Sequence, residues 1–256
     1  QGSGCAGGAF GGVRAALLTR GPPLDPAIKH RLQRLVAGLL GAEGQIVAEQ
    51  DAAPRLRAPT DALMVEVLDR TLGPLEVTRT MEALGLESTF LDGMFYVGAP
   101  LLSGSVTTPA NSREDVDTEP DPYNQTVPTE IGMLLTDIYH CAQYGGGSLL
   151  AVFPGEITQG ECRSMITYLT QNRIGVLIEA GLPDGTQIGH KHGWAVDPLD
   201  GLMHAVGDAG LVYTPGGNYV LTIFIHDTNQ IIWDDANQIY ADLSRAVYNY
   251  YNLGAQ

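Results

Sequence analysis

Residues 187–226 read QIGHKHGWAVDPLDGLMHAVGDAGLVYTPGGNYVLTIFIH, and they set the architecture of the chain. Runs of apolar residues bounded by turn residues predict three strands, at about 187–196, 203–213 and 218–226. The turn Thr214-Pro215-Gly216-Gly217 between the last two is a strong hairpin signal. We therefore expect consecutive strands of an antiparallel sheet.

Helical periodicity flanks these strands on both sides. A terminal helix is predicted at about 234–251, with one apolar face. That face carries Ile239, Leu243, Val247 and Tyr251. Upstream patterns predict helices at 25–41, 60–72, 74–85, 129–143 and 159–172, a short strand at 45–49, and a strand or helix extension at 174–179. The fold class is therefore mixed, α/β of the α+β type, with an antiparallel sheet flanked by N- and C-terminal helices.

Residues 91–127 show no periodicity, and a stretch of this length in a folded domain indicates a functional or tethered loop. Acidic residues stand at 115, 117, 119 and 121, an alternation also found in calcium loops. The glycine pivot and closing Glu of such loops are missing. A solvated charge run is the default interpretation, and calcium is the alternative.

The charge and hydropathy of the chain exclude two classes of function. There are 14 Lys and Arg against 29 Asp and Glu, a net charge of −15. Such a chain repels phosphate backbones, so we do not expect nucleic-acid binding as the main activity. The longest strongly apolar stretch, Tyr219 to Ile225, is far shorter than a membrane span, so no transmembrane segment is expected. We expect no cofactor.

Three cysteines are present, Cys5, Cys141 and Cys162. The last two flank a glycine-rich turn between predicted helices, so a disulfide is easy to form there; two buried thiols are the alternative. Cys5 lies in the small-residue run QGSGCAGG, which looks like the end of a bacterial lipoprotein signal and makes Cys5 a lipidation candidate. A flexible glycine-rich leader is the alternative. Either interpretation suits an exported, extracellular or cell-surface protein.

Several segments together resemble serine β-lactamases and penicillin-binding proteins, the class A-like serine hydrolases, in an extracellular branch of that family. The segments are Lys191-His192-Gly193 on its strand, Gly207–Tyr213, Tyr219–Thr222, Leu68–Pro74, Met81–Leu86, Asp121–Thr126 and the Cys141/Cys162 pair. The resemblance covers roughly residues 60–252. It implies a glycine-rich leader and divergent segment at 1–58 and a β-lactamase-like domain at 59–256. The helical lobe would occupy about 59–172, and the sheet with its C-terminal helix about 173–252.

The nucleophile of that family is a Ser three residues before a Lys, so that one helical turn brings hydroxyl and amine together. This chain has two lysines, Lys29 and Lys191, and three residues before them stand Pro26 and Ile188. The family's Ser-Asp-Asn triplet is also missing. Pro59-Thr60-Asp61 occupies the corresponding place.

The resemblance still assigns candidate site residues. Lys191 and Glu119 are the catalytic candidates: Lys191 would offer a positive charge to a substrate carboxylate, and Glu119 is nearest to the family's hydrolytic glutamate. His192, Gly193 and Asn124 are the substrate-binding candidates. Asn124 follows Glu119 by five residues where the family has four. The alternative for Lys191 is a strand retained for packing, with the ammonium paired to a nearby acid.

Histidines provide one further alternative. His190 and His192 share a strand face opposite Lys191 and could chelate zinc with His140, His204 or a cysteine. Two histidines at this spacing more often serve packing, and we expect no metal there.

Three hypotheses for function follow. The first is a non-catalytic β-lactamase-like domain, exported and acting as a structural or interaction protein of the cell envelope. The second is a serine hydrolase acting on β-lactams or cell-wall peptides whose nucleophile segment is displaced or missing. The third is a metal-dependent binding protein that uses the acidic loop.

The strand at 218–226 also predicts a partner. Both of its faces are apolar, so an open edge would invite association. Either Gly12–Thr19 or Gln45–Glu49 covers it, or an extended segment of a neighbouring molecule does, which would build a homo-oligomer or filament by strand addition.

Overall fold

A computed structural model describes residues 74–93, 104, 106–114, 123–197 and 200–254. The predicted elements at 25–41, 45–49 and 60–72 lie outside these residues, as do Cys5, Glu119 and most of the acidic loop. In the described part, every helix is too short or too polar to cross a bilayer.

The described elements are one helix, two short strands, a group of helices, three long strands and a final helix, in that order along the chain. They are helix α1 (Pro74–Ala83), strands β1 (Phe90–Leu91) and β2 (Asn124–Gln125), helices α2 (Pro128–Tyr144), α3 (Ser148–Val152) and α4 (Gln159–Thr170), a 3-10 helix (Glu179–Gly181), strands β3 (Gln187–Val196), β4 (Met203–Tyr213) and β5 (Tyr219–His226), and helix α5 (Trp233–Tyr251).

Strands β3, β4 and β5 form an antiparallel sheet in that order, which confirms the predicted fold class. The predicted strands agree with the observed ones to within one residue at each end. The hairpin turn between β4 and β5 is closed by Gly217, whose N–H donates to the Thr214 carbonyl at 3.1 Å. Gly217 has a φ of 131°, a conformation that side-chain-bearing residues rarely adopt.

The register of the sheet assigns residues to its two faces. Lys191 lies opposite Ala209, which lies opposite Thr222, so these three share one face. Ala209 packs into the core of the helical lobe, which identifies that face as the lobe side. His192, Asp208 and Ile223 share the other face, which packs against α5.

The helical lobe is joined by a disulfide between Cys141 on α2 and Cys162 on α4, as predicted. The two Cα atoms are 5.9 Å apart, within the normal range for a bridge. Helix α2 ends at Tyr144 and is capped by Gly145, which is left-handed with a φ of 65°. Thr158 and Glu161 form a reciprocal capping box at the start of α4, which explains why α4 begins so close to its predicted position.

The long aperiodic segment is closed at its base. Phe90 pairs with Gln125 and Leu91 with Asn124, forming the two-stranded β1–β2 sheet. The carboxylate of Glu130 accepts the backbone N–H of Ser88 at 2.9 Å and the hydroxyl of Thr89 at 2.6 Å. The β1–β2 pairing therefore holds Phe90–Leu91 next to Asn124–Gln125.

The prediction for residues 174–179 was wrong. Turns and bends lead into the 3-10 helix instead of a strand or a helix extension. The backbone N–H groups of Ile174 and Gly175 both donate to the Glu179 carboxylate at 2.8 Å, and Leu177 N–H donates to Asn237 at 2.6 Å. Side chains thus satisfy the donors that a regular element would use.

Helix α5 was predicted correctly in extent, but its buried face is different from the apolar face expected. Ala236, Tyr240 and Ser244 are buried, whereas Ile239 and Leu243 are about half exposed. Small residues permit close approach of the helix: a Cβ at Gly181 would overlap the Ala241 carbonyl oxygen. The buried Tyr240 hydroxyl reaches the sheet, 2.8 Å from the Val206 carbonyl oxygen.

Candidate functional site

Lys191 lies in the middle of β3, on the lobe side of the sheet, and its side chain is almost buried, with 8% of the residue exposed. Its ammonium donates to the carbonyl oxygen of His192 at 2.8 Å. A buried ammonium is costly unless it is hydrogen-bonded, so this contact stabilises the charge where it is. Lys191 is therefore a fixed cation facing the interface between sheet and lobe.

Glycines surround Lys191 on its own face. Gly189 precedes it by two residues, and a Cβ there would lie 3.2 Å from side-chain atoms of Leu169 and Thr170 on α4. Gly193 follows by two residues and pairs with Gly207 on β4. The ring of Phe224 covers Gly207, because a Cβ there would lie 3.0 Å from it. Neighbouring side chains on β3 therefore do not crowd the ammonium.

A buried ion pair lies beneath this strand, on the opposite face. His190 and Asp208 are both fully buried, and Nδ1 of His190 is 3.0 Å from Oδ1 of Asp208. The other ring nitrogen, Nε2, lies 3.0 Å from the carbonyl oxygen of Asn172. Because a carbonyl oxygen only accepts, Nε2 carries a hydrogen, and a protonated ring satisfies both contacts. Asp208 also accepts the N–H of Ile178 at 3.1 Å.

This environment favours the charged form of His190. Burial acts to lower its pKa, but the hydrogen bond and negative charge of Asp208, assisted by Glu179, outweigh burial, and the pKa lies above its ordinary value. The pair therefore fixes β3 to the segment around Ile178 and to Asn172.

His192 is neutral. Burial, followed by the charge of Lys191, lowers its pKa to about 4. Its Nδ1 accepts from the Asn172 amide at 3.2 Å, and its ring stacks on Trp194 with centroids 5.4 Å apart. Because His192 and Lys191 are adjacent on the strand, the imidazole lies on the face opposite Lys191. The contact of His192 with Lys191 is made by its backbone carbonyl.

The structure brings some of the predicted residues together. Lys191, His192 and Gly193 are consecutive on β3, while Asn124 lies on β2, where its side-chain oxygen accepts the N–H of Gly93 at 3.4 Å. Glu119 lies outside the described residues. The zinc site considered for His190 and His192 finds no support, since both nitrogens of His190 and one of His192 contact protein groups.

Sequence reasoning missed the partners that hold the strand. Asp208 is the charged residue in the otherwise apolar run AVGDAGLVY, and that was the available signal. Asn172, which follows α4, could not be identified from the sequence, because its role depends on the position of α4 against β3. Its amide donates both to the His190 carbonyl and to His192.

The chemistry available at this site is that of a positioned cation. Lys191 can bind a carboxylate, but the residue three before it is Ile188, so it has no nucleophile at the spacing used for covalent catalysis. A separate group that could hold a metal ion lies at the end of the β3–β4 hairpin, and consists of Asp197, Asp200 and His204 among the residues the structure describes.

A comparison with known proteins finds a sequence match over part of the chain. Over 69 residues the chain is 42% identical to a β-lactamase of Bacteroides uniformis, a match that spans 27% of this chain and only about a quarter (23%) of that relative.

Solved structures show the fold over a longer span. A β-lactamase from Sphaerobacter thermophilus superposes with a TM-score of 0.54 at 16% identity, covering 89% of this chain and 82% of that one. PBP-A superposes with a TM-score of 0.52 at 17% identity, covering 89% of this chain and 80% of that one. A mutant of PBP-A, solved as an acyl-enzyme complex with penicillin G, gives a TM-score of 0.51 at 18% identity, covering 89% and 81%.

The family model described as "Beta-lactamase enzyme family" matches residues 64–251, which include α1, the disulfide, β3 with Lys191, and all of α5. With this match over most of its length, the chain belongs to the β-lactamase enzyme family.

Proposed function

We propose that this chain is a non-catalytic β-lactamase-like domain, exported and acting as a structural or interaction protein at the cell surface. The observation that carries the proposal is the placement of its lysines. A serine hydrolase of this family pairs a Ser with a Lys three residues later, and the residues at that spacing here are Pro26 and Ile188. Strand β3 with Lys191 is therefore present, whereas the sequence has no Ser three residues before a Lys.

Lys191 supports a binding role for the strand. Its ammonium lies on the lobe side of the sheet and donates to a backbone carbonyl at 2.8 Å. A ligand carboxylate that reaches Lys191 would form a charge-assisted hydrogen bond with the ammonium. We propose that such a ligand, a β-lactam or a cell-wall peptide terminus, binds here reversibly.

The disulfide supports export. Structural disulfides form and persist in oxidising compartments and are rare in the cytosol, and the Cys141–Cys162 bridge lies in the core of the lobe. Attachment of a lipid at Cys5 remains part of the proposal. Mass spectrometry of the protein from membrane fractions of its host tests it, since a lipidated chain begins at Cys5 with added acyl mass.

A fluorescent penicillin distinguishes this proposal from a working hydrolase. We expect reversible binding and no label after denaturation, because acylation needs a nucleophile that the sequence does not provide at the family's spacing. Lys191→Ala should weaken binding, whereas Lys29→Ala, which removes the other lysine, should not. A label that survives denaturation on any Ser or Thr would contradict the non-catalytic role.

The second candidate is a serine hydrolase whose nucleophile is displaced. The observation that favours this candidate is the position of Lys191 on the lobe side of the sheet, rather than on the side packed against α5. This candidate predicts the denaturation-resistant label, and peptide mapping would then identify the displaced nucleophile.

We also propose that another strand completes the sheet at β5. Among the described residues, β5 pairs with β4 alone. The chain's own N-terminal region or a strand from a neighbouring molecule would cover that edge, and the second option builds a homo-oligomer or filament. Deletion of residues 1–20 tests both: an unchanged oligomeric state together with unchanged stability would contradict the assignment of this edge to the N-terminal arm.

A further inference from the structure

We propose that Asp197, Asp200 and His204 form a zinc-binding site at the end of the β3–β4 hairpin, separate from the Lys191 strand face. One ligand atom from each residue, a carboxylate oxygen from each Asp and a ring nitrogen from His204, lies within 4.8 Å of the other two. Three donors at this separation can converge on one ion.

A β-bulge places His204. Ala195 pairs with Ala205 and Val196 with Met203, so His204 is the additional residue on β4 where the register shifts. Bulges redirect a side chain away from the regular alternation of the strand. The backbone is held on both sides of the bulge, because Asp227 N–H donates to the His204 carbonyl at 3.0 Å and Ile231 N–H donates to the Met203 carbonyl at 2.7 Å.

The hydrogen bond to Asp227 orients the imidazole for metal binding. Nδ1 of His204 lies 2.9 Å from the Asp227 carbonyl oxygen, which only accepts, so Nδ1 carries the hydrogen. This contact comes from a residue outside the three ligands. Metal-ligating histidines almost always donate their second ring N–H in this way, and Nε2, which here faces the Asp200 carboxylate at 2.9 Å, would release its hydrogen when it binds the ion.

The two carboxylate oxygens of Asp200 have different partners, which orients its side chain. Oδ1 accepts the N–H of Leu202 at 2.7 Å, while Oδ2 lies 2.9 Å from Nε2 of His204. Backbone bonds within the turn hold Asp197 in place: its N–H donates to the Leu202 carbonyl and its carbonyl accepts the Gly201 N–H, both at 2.8 Å. Nε2 and Oδ2 contact each other, and an ion bound by both atoms and by an Asp197 oxygen would replace that contact.

The donor set favours zinc. One imidazole and two carboxylates match the nitrogen and oxygen ligands of Zn²⁺, and three protein ligands leave a position for water. Calcium needs six to eight oxygen ligands, more than this group provides.

Isothermal titration of ZnCl₂ into the EDTA-treated full chain tests the site. A Cys5→Ser background prevents zinc from being held by that thiol. We expect one ion per chain, with at least ~10-fold weaker binding in His204→Ala and in Asp200→Asn. His226→Ala is the matched control, since it removes an exposed histidine at the end of the neighbouring strand β5. It should bind as the parent does.

Urea midpoints of the variants establish that each is folded, and the visible spectrum of a Co²⁺-loaded sample gives a second measurement. Bands of low-symmetry Co²⁺ that disappear in His204→Ala support the site. If zinc does not bind, or if His204→Ala binds as tightly as the parent, the group is an ion pair only. Loss of binding in His226→Ala equal to that in His204→Ala would likewise overturn the assignment.

Discussion

Asp208→Ala is the substitution with the largest effect expected on stability. It removes the acceptor of two buried donors, Nδ1 of His190 at 3.0 Å and the N–H of Ile178 at 3.1 Å. An unpaired buried N–H costs about 1–3 kcal/mol, and removing one partner of a buried ion pair costs about 3–5 kcal/mol in total. We therefore expect the free energy of unfolding to fall by about 4 kcal/mol.

Asp208→Asn should cost much less, about 1 kcal/mol. The amide oxygen can still accept from Ile178, and its NH₂ can donate to a neutral His190, so no buried group is left unpaired. Urea denaturation with the disulfide intact measures both variants, and Asp184→Ala, an exposed carboxylate, is the control. A loss below ~1 kcal/mol for Asp208→Ala, or equal losses for both variants, would show that the ion pair does not hold β3.

The same pair predicts a dependence on pH. The pKa of His190 is raised in the folded state, because Asp208 outweighs burial. Its contribution is complete below the unfolded-state pKa of about 6.5 and is lost as the pH rises through the folded-state pKa. Parent stability should decline above about pH 6.5, and Asp208→Asn should remove that decline. A decline of equal size in Asp208→Asn would contradict this cause.

Three further outcomes are expected. Burial and Lys191 lower the pKa of His192 to about 4, so folding disfavours protonation of this side chain. The free energy of unfolding should therefore also decline as the pH falls from about 6.5 towards about 4. Urea denaturation of His192→Gln should not show this decline. Mass spectrometry without reduction should show Cys141 linked to Cys162, and Cys141→Ser should lose about 3 kcal/mol. Gly181→Ala should lower the melting temperature, because a Cβ overlaps the α5 backbone, while Gly146→Ala, which meets open space, should not.

The fold could be predicted where local signals coincide with tertiary structure. Turn residues mark the ends of β3 and β4, and the capping box of Thr158 and Glu161 marks the start of α4. The face of α5 could not be predicted, since the helix buries Ala236 and Ser244 in a close contact with the segment around Gly181. Hydrophobic periodicity gives such small residues little weight.

The candidate site was only partly accessible from the sequence. Lys191 was identified by resemblance and lies on the expected strand, and the disulfide was predicted from two cysteines on adjacent helices. The pairing of His190 with Asp208 joins residues 18 positions apart on two strands. It depends on register, and neither residue type alone indicates it. The two-residue strands β1 and β2 are too short for periodicity to show.

The non-catalytic role is tested most directly by nitrocefin hydrolysis with the purified chain. Loss of a Ser–Lys unit removes nucleophile and base together, so turnover should equal that of buffer alone. Turnover above buffer that disappears in Lys191→Ala and persists in Lys29→Ala would contradict the proposal and establish a working hydrolase.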